Sequence, residues 1–235
     1  MALPAPLPPP RRALGSRPQL SDEAAARIRE LIMDGRVRPG DHLRLERLAL
    51  EFGISVTPVR EALKSLRSEG FVVLEPRRGF VVAPLSRQDV QDLFWVQAGI
   101  AAELTARAAP RIGAGTVREL DGLQRAMERA MDARRPDLME ECNHLFHREI
   151  NLAADSPKLA WSLATTARYV PRGLYGRLAG WPALAAADHE RVLAALRAGD
   201  TREAAAEMRG HIVRVGELLI AHLDLRGMWR PPGGP

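Results

Sequence analysis

The stretch from Leu45 to Val82 constrains the fold more than any other part of the chain. A helical segment from about Leu45 to Phe52 ends at Gly53, and Ile54-Ser55-Val56 makes a tight turn. Thr57-Pro58 then opens another helix, with Thr as N-cap and Pro at the first helical position, where no backbone hydrogen bond is lost. That helix is expected to reach about Glu69 and stop at Gly70. Val59, Ala62, Leu63 and Leu66 recur at helical spacing and are expected to pack inward on Leu48, Ala49 and Ile32. Two short β-rich runs follow, Phe71-Val72-Val73-Leu74 and Phe80-Val81-Val82, joined by the turn-rich Glu75-Pro76-Arg77-Arg78-Gly79. Upstream, Ser21 is placed to cap a first helix whose apolar stripe is Ala24, Ile28, Leu31 and Ile32, ended by Gly35 and Pro39-Gly40. Three helices, a tight turn between the second and third, and a terminal hairpin make the plan of a winged helix-turn-helix, here over residues 19–85.

Charge adds a partner to this plan. The net charge is +5, and residues 1–85 hold fourteen Arg/Lys against ten Asp/Glu, leaving nearly all of the excess in that part. A polyanion is expected to dock there. The outer face of the third helix carries Thr57, Arg60, Lys64 and Arg67, all able to bond phosphates or base edges, and a major groove admits one helix. Arg44 and Arg47, around the start of the second helix, are placed to grip a nucleic-acid backbone. Arg77 and Arg78 at the hairpin tip reach toward phosphates or the minor groove.

Beyond Pro84-Leu85-Ser86 the pattern is helical throughout, with expected helices at 87–109, 115–133, 136–153, 156–178, 182–198 and 201–224. Asp200 and Glu203 have capping-box spacing, and Gly199 closes the helix before them. Abundant alanine lets such helices approach closely as an antiparallel bundle over residues 86–228. The fold class is therefore mainly α, with a winged helix-turn-helix ahead of an all-α bundle. The ends, 1–18 and 229–235, are rich in Pro and are expected to be disordered. The single cysteine, Cys142, excludes an intramolecular disulfide, and a buried inert thiol is the expected state. No apolar run approaches the roughly 20 residues of a membrane span, so a cytoplasmic protein without membrane contact is expected.

These residues carry a family resemblance. Ser55-Val56-Thr57-Pro58-Val59-Arg60-Glu61-Ala62-Leu63, then Leu66, Gly70-Phe71-Val72 and Arg78-Gly79-Phe80-Val81-Val82, resemble the GntR superfamily of bacterial transcriptional regulators over roughly residues 20–85. The resemblance implies DNA contacts at Arg60, with Thr57 and Ser55 at polar contact positions. Relatives usually have a DNA-contacting arginine where this chain has Val56, so the resemblance implies the class of regulator but not its operator. Residues 86–225 resemble the helical effector (FCD) domain of the FadR-type branch through Phe146-His147-Arg148-Glu149-Ile150, Asp188-His189-Glu190-Arg191-Val192-Leu193, Gly199-Asp200 and Met208-Arg209-Gly210-His211.

Of the six histidines, Asn143 and His147 share one helix face at a spacing of four, and His189 and His211 lie on later helices. Facing helices of a bundle bring such side chains together around a divalent ion. The resemblance implies that His147, His189 and His211 match three histidines that hold a metal in many relatives, with zinc, nickel or manganese as the ion. Asn143 stands where those relatives have an aspartate. It offers an amide oxygen but no charge, and Glu140, one turn earlier, is the reserve ligand. Gln97 replaces a frequent arginine. The resemblance further implies a homodimeric repressor that binds a palindromic operator and is released by a small organic acid. The alternative is a metal-free pocket for an acyl thioester or other ligand. A metal-dependent hydrolase is the least favoured reading, because the chain has no HExxH pair, nucleophile elbow or phosphate loop.

Overall fold

In the computed structural model, the described residues are 17–170 and 173–229, with side chains described from Leu20 onward. The expected disordered tails, 1–18 and 229–235, fall almost wholly outside them. The fold is mainly α. The chain divides into two compact units, one made of the residues up to Arg29 with Gly40–Ala83, the other of Glu30–Pro39 with everything from Pro84.

In the first unit, α1 (Arg17–Met33) up to Arg29, α2 (Leu45–Phe52) and α3 (Val56–Ser68) precede a hairpin of β1 (Val72–Glu75) and β2 (Gly79–Val82). Strands β1 and β2 pair antiparallel with Val72 opposite Val82 and Glu75 opposite Gly79. The segment before α2 adds a short third rung, since Gly40 donates to the Val82 carbonyl and Leu43 to that of Phe80. Two caps differ from expectation. Helix α1 starts at Arg17, so Ser21 lies inside it rather than at its cap. Helix α3 is capped by Ser55 in extended backbone, which puts Thr57 and Pro58 in its first turn. Proline is tolerated there because the first-turn N–H groups have no partner within the helix.

Val59, Leu63 and Leu66 are fully buried and Ala62 nearly so, each Leu contributing about 1.5–3 kcal/mol of burial. Arg29 on α1 makes two 2.9 Å hydrogen bonds to the Glu69 carboxylate just beyond α3. These charge-assisted bonds fix the angle between the two helices more firmly than apolar contact alone.

In the second unit, α4 (Arg87–Ala108), α5 (Ala114–Asp132), α6 (Pro136–Ala153), α7 (Pro157–Ala167), α8 (Trp181–Ala198) and α9 (Thr201–Leu225) form the bundle. Helix α4 packs on α9, α8 on α9, and α5 on α6. The short links between α5 and α6 and between α8 and α9 make those pairs antiparallel neighbours. Ser86 and Asp89 close a reciprocal cap at the start of α4, and the Asp200 side chain accepts from the Glu203 amide at the start of α9. The core joins Leu104, Leu120, Phe146, Ile150, Val192, Leu193 and Met208 from five helices.

One expected element is shorter than anticipated. The helix foreseen over 156–178 is α7 alone, followed by an irregular link with a 3-10 turn at Tyr175–Arg177. Pro171 disfavours helical backbone before it, and Gly173 has φ +82, a region open to glycine.

Candidate functional site

On the first unit, the buried stripe of α3 leaves Thr57, Arg60, Lys64 and Arg67 along its exposed side. The spacing of three and four residues aligns them in one row. Lys64 forms an ion pair with Glu61 in that row at 3.0 Å. Ser55 is exposed just before the helix, Val56 is half-buried, and Arg44 and Arg47 are exposed at the start of α2. At the hairpin tip, Arg78 donates to His42 Nε2 at 3.0 Å and to the Glu75 carboxylate at 2.8 Å, which holds its guanidinium beside the strands. Arg77 is exposed at φ +64, where a side chain costs about 1–2 kcal/mol against glycine.

On the second unit, the histidines converge. His147 of α6, His189 of α8 and His211 of α9 bring one ring nitrogen each within 4.8 Å of the others. His189 is fully buried and stacks on Phe146 at a centroid distance of 4.1 Å, so its plane is set by the core. Neither of its ring nitrogens has a hydrogen-bond partner, and neither does the buried Asn143 Oδ1 one turn before His147 on α6. Buried polar atoms without partners cost on the order of 1–3 kcal/mol each, so their concentration here points to a ligand. Burial pulls the His147 imidazole down to about 3 and likewise carries His189 well below its ordinary value. Both rings are neutral at neutral pH, which is the form that binds metal.

His211 is oriented by Asp188. Its Nδ1 lies 3.1 Å from the Asp188 carboxylate, and a carboxylate only accepts, so Nδ1 carries a proton and Nε2 is the nitrogen turned away from this contact. Burial pushes the Asp188 carboxyl up, but hydrogen bonds from His211 and Arg214 more than offset it and hold the group below the usual carboxylate range. Arg214 donates to it at 3.0 Å, and Arg191 also binds it while reaching Glu207. Sequence reading gave Asp188 and Arg214 no role. The signal was present in Asp188 preceding His189, but its contact with His211 spans 23 residues and exists only once α8 and α9 pair.

Glu140 is not a reserve ligand. Its carboxylate accepts from the Gly173 and Gly176 amides at 2.6 Å each, tying α6 to the irregular link before α8. Among the described residues no Asp, Glu or Cys joins the three histidines. Gln97 is buried and donates to the Thr166 carbonyl of α7 at 3.2 Å. Gln124, also buried, donates to the Ala186 carbonyl while its own Oε1 finds no partner. Cys142 is half-buried rather than buried; its thiol is pushed up by partial burial and by the neighbouring Glu141 charge, consistent with an inert thiol. Among the described residues no helix is long and apolar enough to cross a membrane.

Comparison with known proteins addresses the two units separately. The family of bacterial regulatory proteins named gntR matches residues 20–82, and the FCD domain matches residues 92–214. An uncharacterized HTH-type transcriptional regulator of Mycobacterium tuberculosis (strain CDC 1551 / Oshkosh) is 26% identical over 220 residues, covering 91% of this chain and 86% of its own length. The HTH-type transcriptional repressor GlaR of Escherichia coli (strain K12) is 34% identical over 82 residues, 35% of this chain and 37% of the repressor. The solved structure of E. coli McbR/YncC superposes with a TM-score of 0.62 over 88% of this chain and 98% of that one, at 24% sequence identity, and so shares the fold. Both curated relatives are named as regulators rather than as enzymes, which sets the hydrolase reading aside. With the helix-turn-helix and the helical unit each matched in order, the chain belongs to the GntR family of DNA-binding transcriptional regulators that carry an FCD domain.

Proposed function

We propose that this regulator is a cytoplasmic homodimeric repressor that holds a short palindromic operator through α3 of each copy and releases it when a small carboxylate enters the helical unit. Arg60, Lys64 and Thr57 read base edges, with Ser55 and Arg67 beside them. Arg44 and Arg47 position the backbone, and Arg77 and Arg78 extend the contact from the hairpin. Self-association is supported by the outer surface of the bundle. Helix α7 is apolar yet has no buried residue, and Trp161 on it and Trp95 on its neighbour α4 are exposed.

The single observation that carries the sensing half is the cluster of half-buried His147 with buried His189 and His211, with unpartnered nitrogens on His189. Three imidazoles and the amide oxygen of Asn143 fit a divalent ion such as zinc, nickel or manganese. When bound, the ion supplies a Lewis-acidic position for a carboxylate oxygen. Phe146 fixes the plane of His189, and Asp188 orients His211. The carboxylate shifts the dimer between two arrangements, of which one matches the half-site spacing.

Elemental analysis of untagged protein purified without chelators tests the site: about one ion per chain is expected, lost in His189→Ala. Footprinting on the promoter region beside its own coding sequence tests the interface. Arg60→Ala should abolish the footprint with an unchanged circular dichroism spectrum, and a normal footprint would remove Arg60 from the interface.

A further inference from the structure

The two arginines at the hairpin tip are held differently. The Arg78 amide donates to the Glu75 carbonyl, closing a turn with Pro76 and Arg77 at its centre. Proline at the second position and a positive φ, +64, at the third follow the pattern of a type II turn. Arg77 is exposed at the apex, and no hydrogen bond or ion pair engages its side chain among the described residues. Arg78 is folded back instead: Nε donates to His42 Nε2 at 3.0 Å and Nη1 to the Glu75 carboxylate at 2.8 Å. His42 is fixed in its turn by the backbone around it. It bridges Val81, while Gly40 donates to the Val82 carbonyl, Val82 to that of Asp41 and Leu43 to that of Phe80. The ring therefore stands on the third rung of the hairpin, 36 residues from the arginine it holds. An exposed ion pair such as Glu75 with Arg78 holds a long side chain weakly on its own. The second bond, to a ring carried by the sheet, fixes the plane of the guanidinium. A guanidinium has five N–H donors in a rigid fork; two are used here, and three are left for a ligand.

We infer that His42 is a positioning residue for DNA binding: it holds Arg78 as a preset clamp for one backbone phosphate and leaves Arg77 as the arginine with free reach. The inference rests on the hairpin contact proposed above and adds to it a residue that acts through Arg78. Tied to the strands by two of its nitrogens, Arg78 gives up the extension that entering a groove demands. A phosphate asks only for N–H groups in a fixed plane. A side chain ordered before binding loses less freedom when it binds, so the bond to His42 tightens the complex. His42 accepts through a ring nitrogen that carries no proton. Alanine at this position removes the acceptor, whereas the amide oxygen of glutamine can replace it.

The test is fluorescence anisotropy of the full-length protein on two duplexes, the promoter region beside its own coding sequence and a random sequence, over a series of salt concentrations. The variants are His42→Ala, His42→Gln, Arg77→Ala, Arg78→Ala and the double His42→Ala/Arg78→Ala. Arg78→Ala should weaken binding about 5–10-fold on both duplexes and make the slope of log affinity against log salt shallower by about 0.9, as for one lost phosphate contact. His42→Ala should weaken binding about 3–5-fold, and His42→Gln should stay within about twofold of the unsubstituted protein. The double variant should bind no more weakly than Arg78→Ala, because His42 acts only through that arginine. Additive losses in the double variant overturn the positioning role, and so does a loss in Arg78→Ala that His42→Ala does not share. An unchanged salt slope in Arg78→Ala overturns the phosphate clamp. If neither Arg77→Ala nor Arg78→Ala alters affinity on either duplex, the hairpin contact itself fails and the role of His42 falls with it.

Discussion

Asp188 is fully buried, and it is retained in the bundle by what it holds. The carboxylate fixes the proton of His211 on Nδ1 and is itself held by Arg214 at 3.0 Å. Partners of this kind, one step removed from a metal, typically govern affinity by about 10–100-fold. On the proposed metal reading, Asp188→Asn is expected to weaken zinc binding by about that factor in a chelator competition. It should also alter the cobalt(II) absorption spectrum, a signature that a purely structural role would not move. The buried imidazoles make a second prediction. Below pH about 6.5 an unfolded chain takes up protons that folded His147, held down to about 3, refuses. Stability of the metal-free protein should be full above that pH and fall as acid is added, by at most about 1.4 kcal/mol per pH unit for each such histidine. Chemical denaturation between pH 8 and 4 measures it, and a flat profile would contradict the burial of these rings.

Among the elements, α4 and α9 show how closely the bundle packs. A Cβ added to Gly216 of α9 would lie 2.6 Å from Cγ of Phe94, a buried ring on α4. Gly216→Ala gains about 1 kcal/mol of helix propensity, but overpacking costs about 1–3 kcal/mol, and a buried ring has little room to turn. A lower thermal midpoint is expected, with Phe94→Leu restoring part of the loss; a rise would show that the ring gives way. Much of this level was legible in the sequence. The apolar stripe of α3 and the bounds of α2, α5, α6 and α9 follow from periodicity, Gly and Pro. The caps of α1 and α3 were misplaced, because side-chain type near a helix start does not say which residue turns first. The convergence of His147, His189 and His211 came through resemblance, since periodicity places each on a helix but does not choose which helices face each other. The role of Glu140 was hidden for the same reason, as its partners are backbone amides of an irregular link.

At the scale of the whole molecule, the two units divide the labour that the family match assigns to them: a small unit with a basic helix face, and a bundle with a polar cluster in its interior. The bundle also carries a built-in optical gauge. Trp95 and Trp161 are 69% and 66% exposed, whereas Trp181 is 1% exposed. Emission should therefore divide into a red-shifted fraction from Trp95 and Trp161 that iodide quenches and a blue-shifted fraction from Trp181 that it does not reach, with the half-buried Trp229 between them. If copies meet over α4 and α7, raising the protein concentration will shield the first fraction and leave the second unchanged. Persistence of the quenched fraction at concentrations where sedimentation shows a dimer would move the contact to another face. The same light, followed during effector addition, reports on assembly without any attached dye.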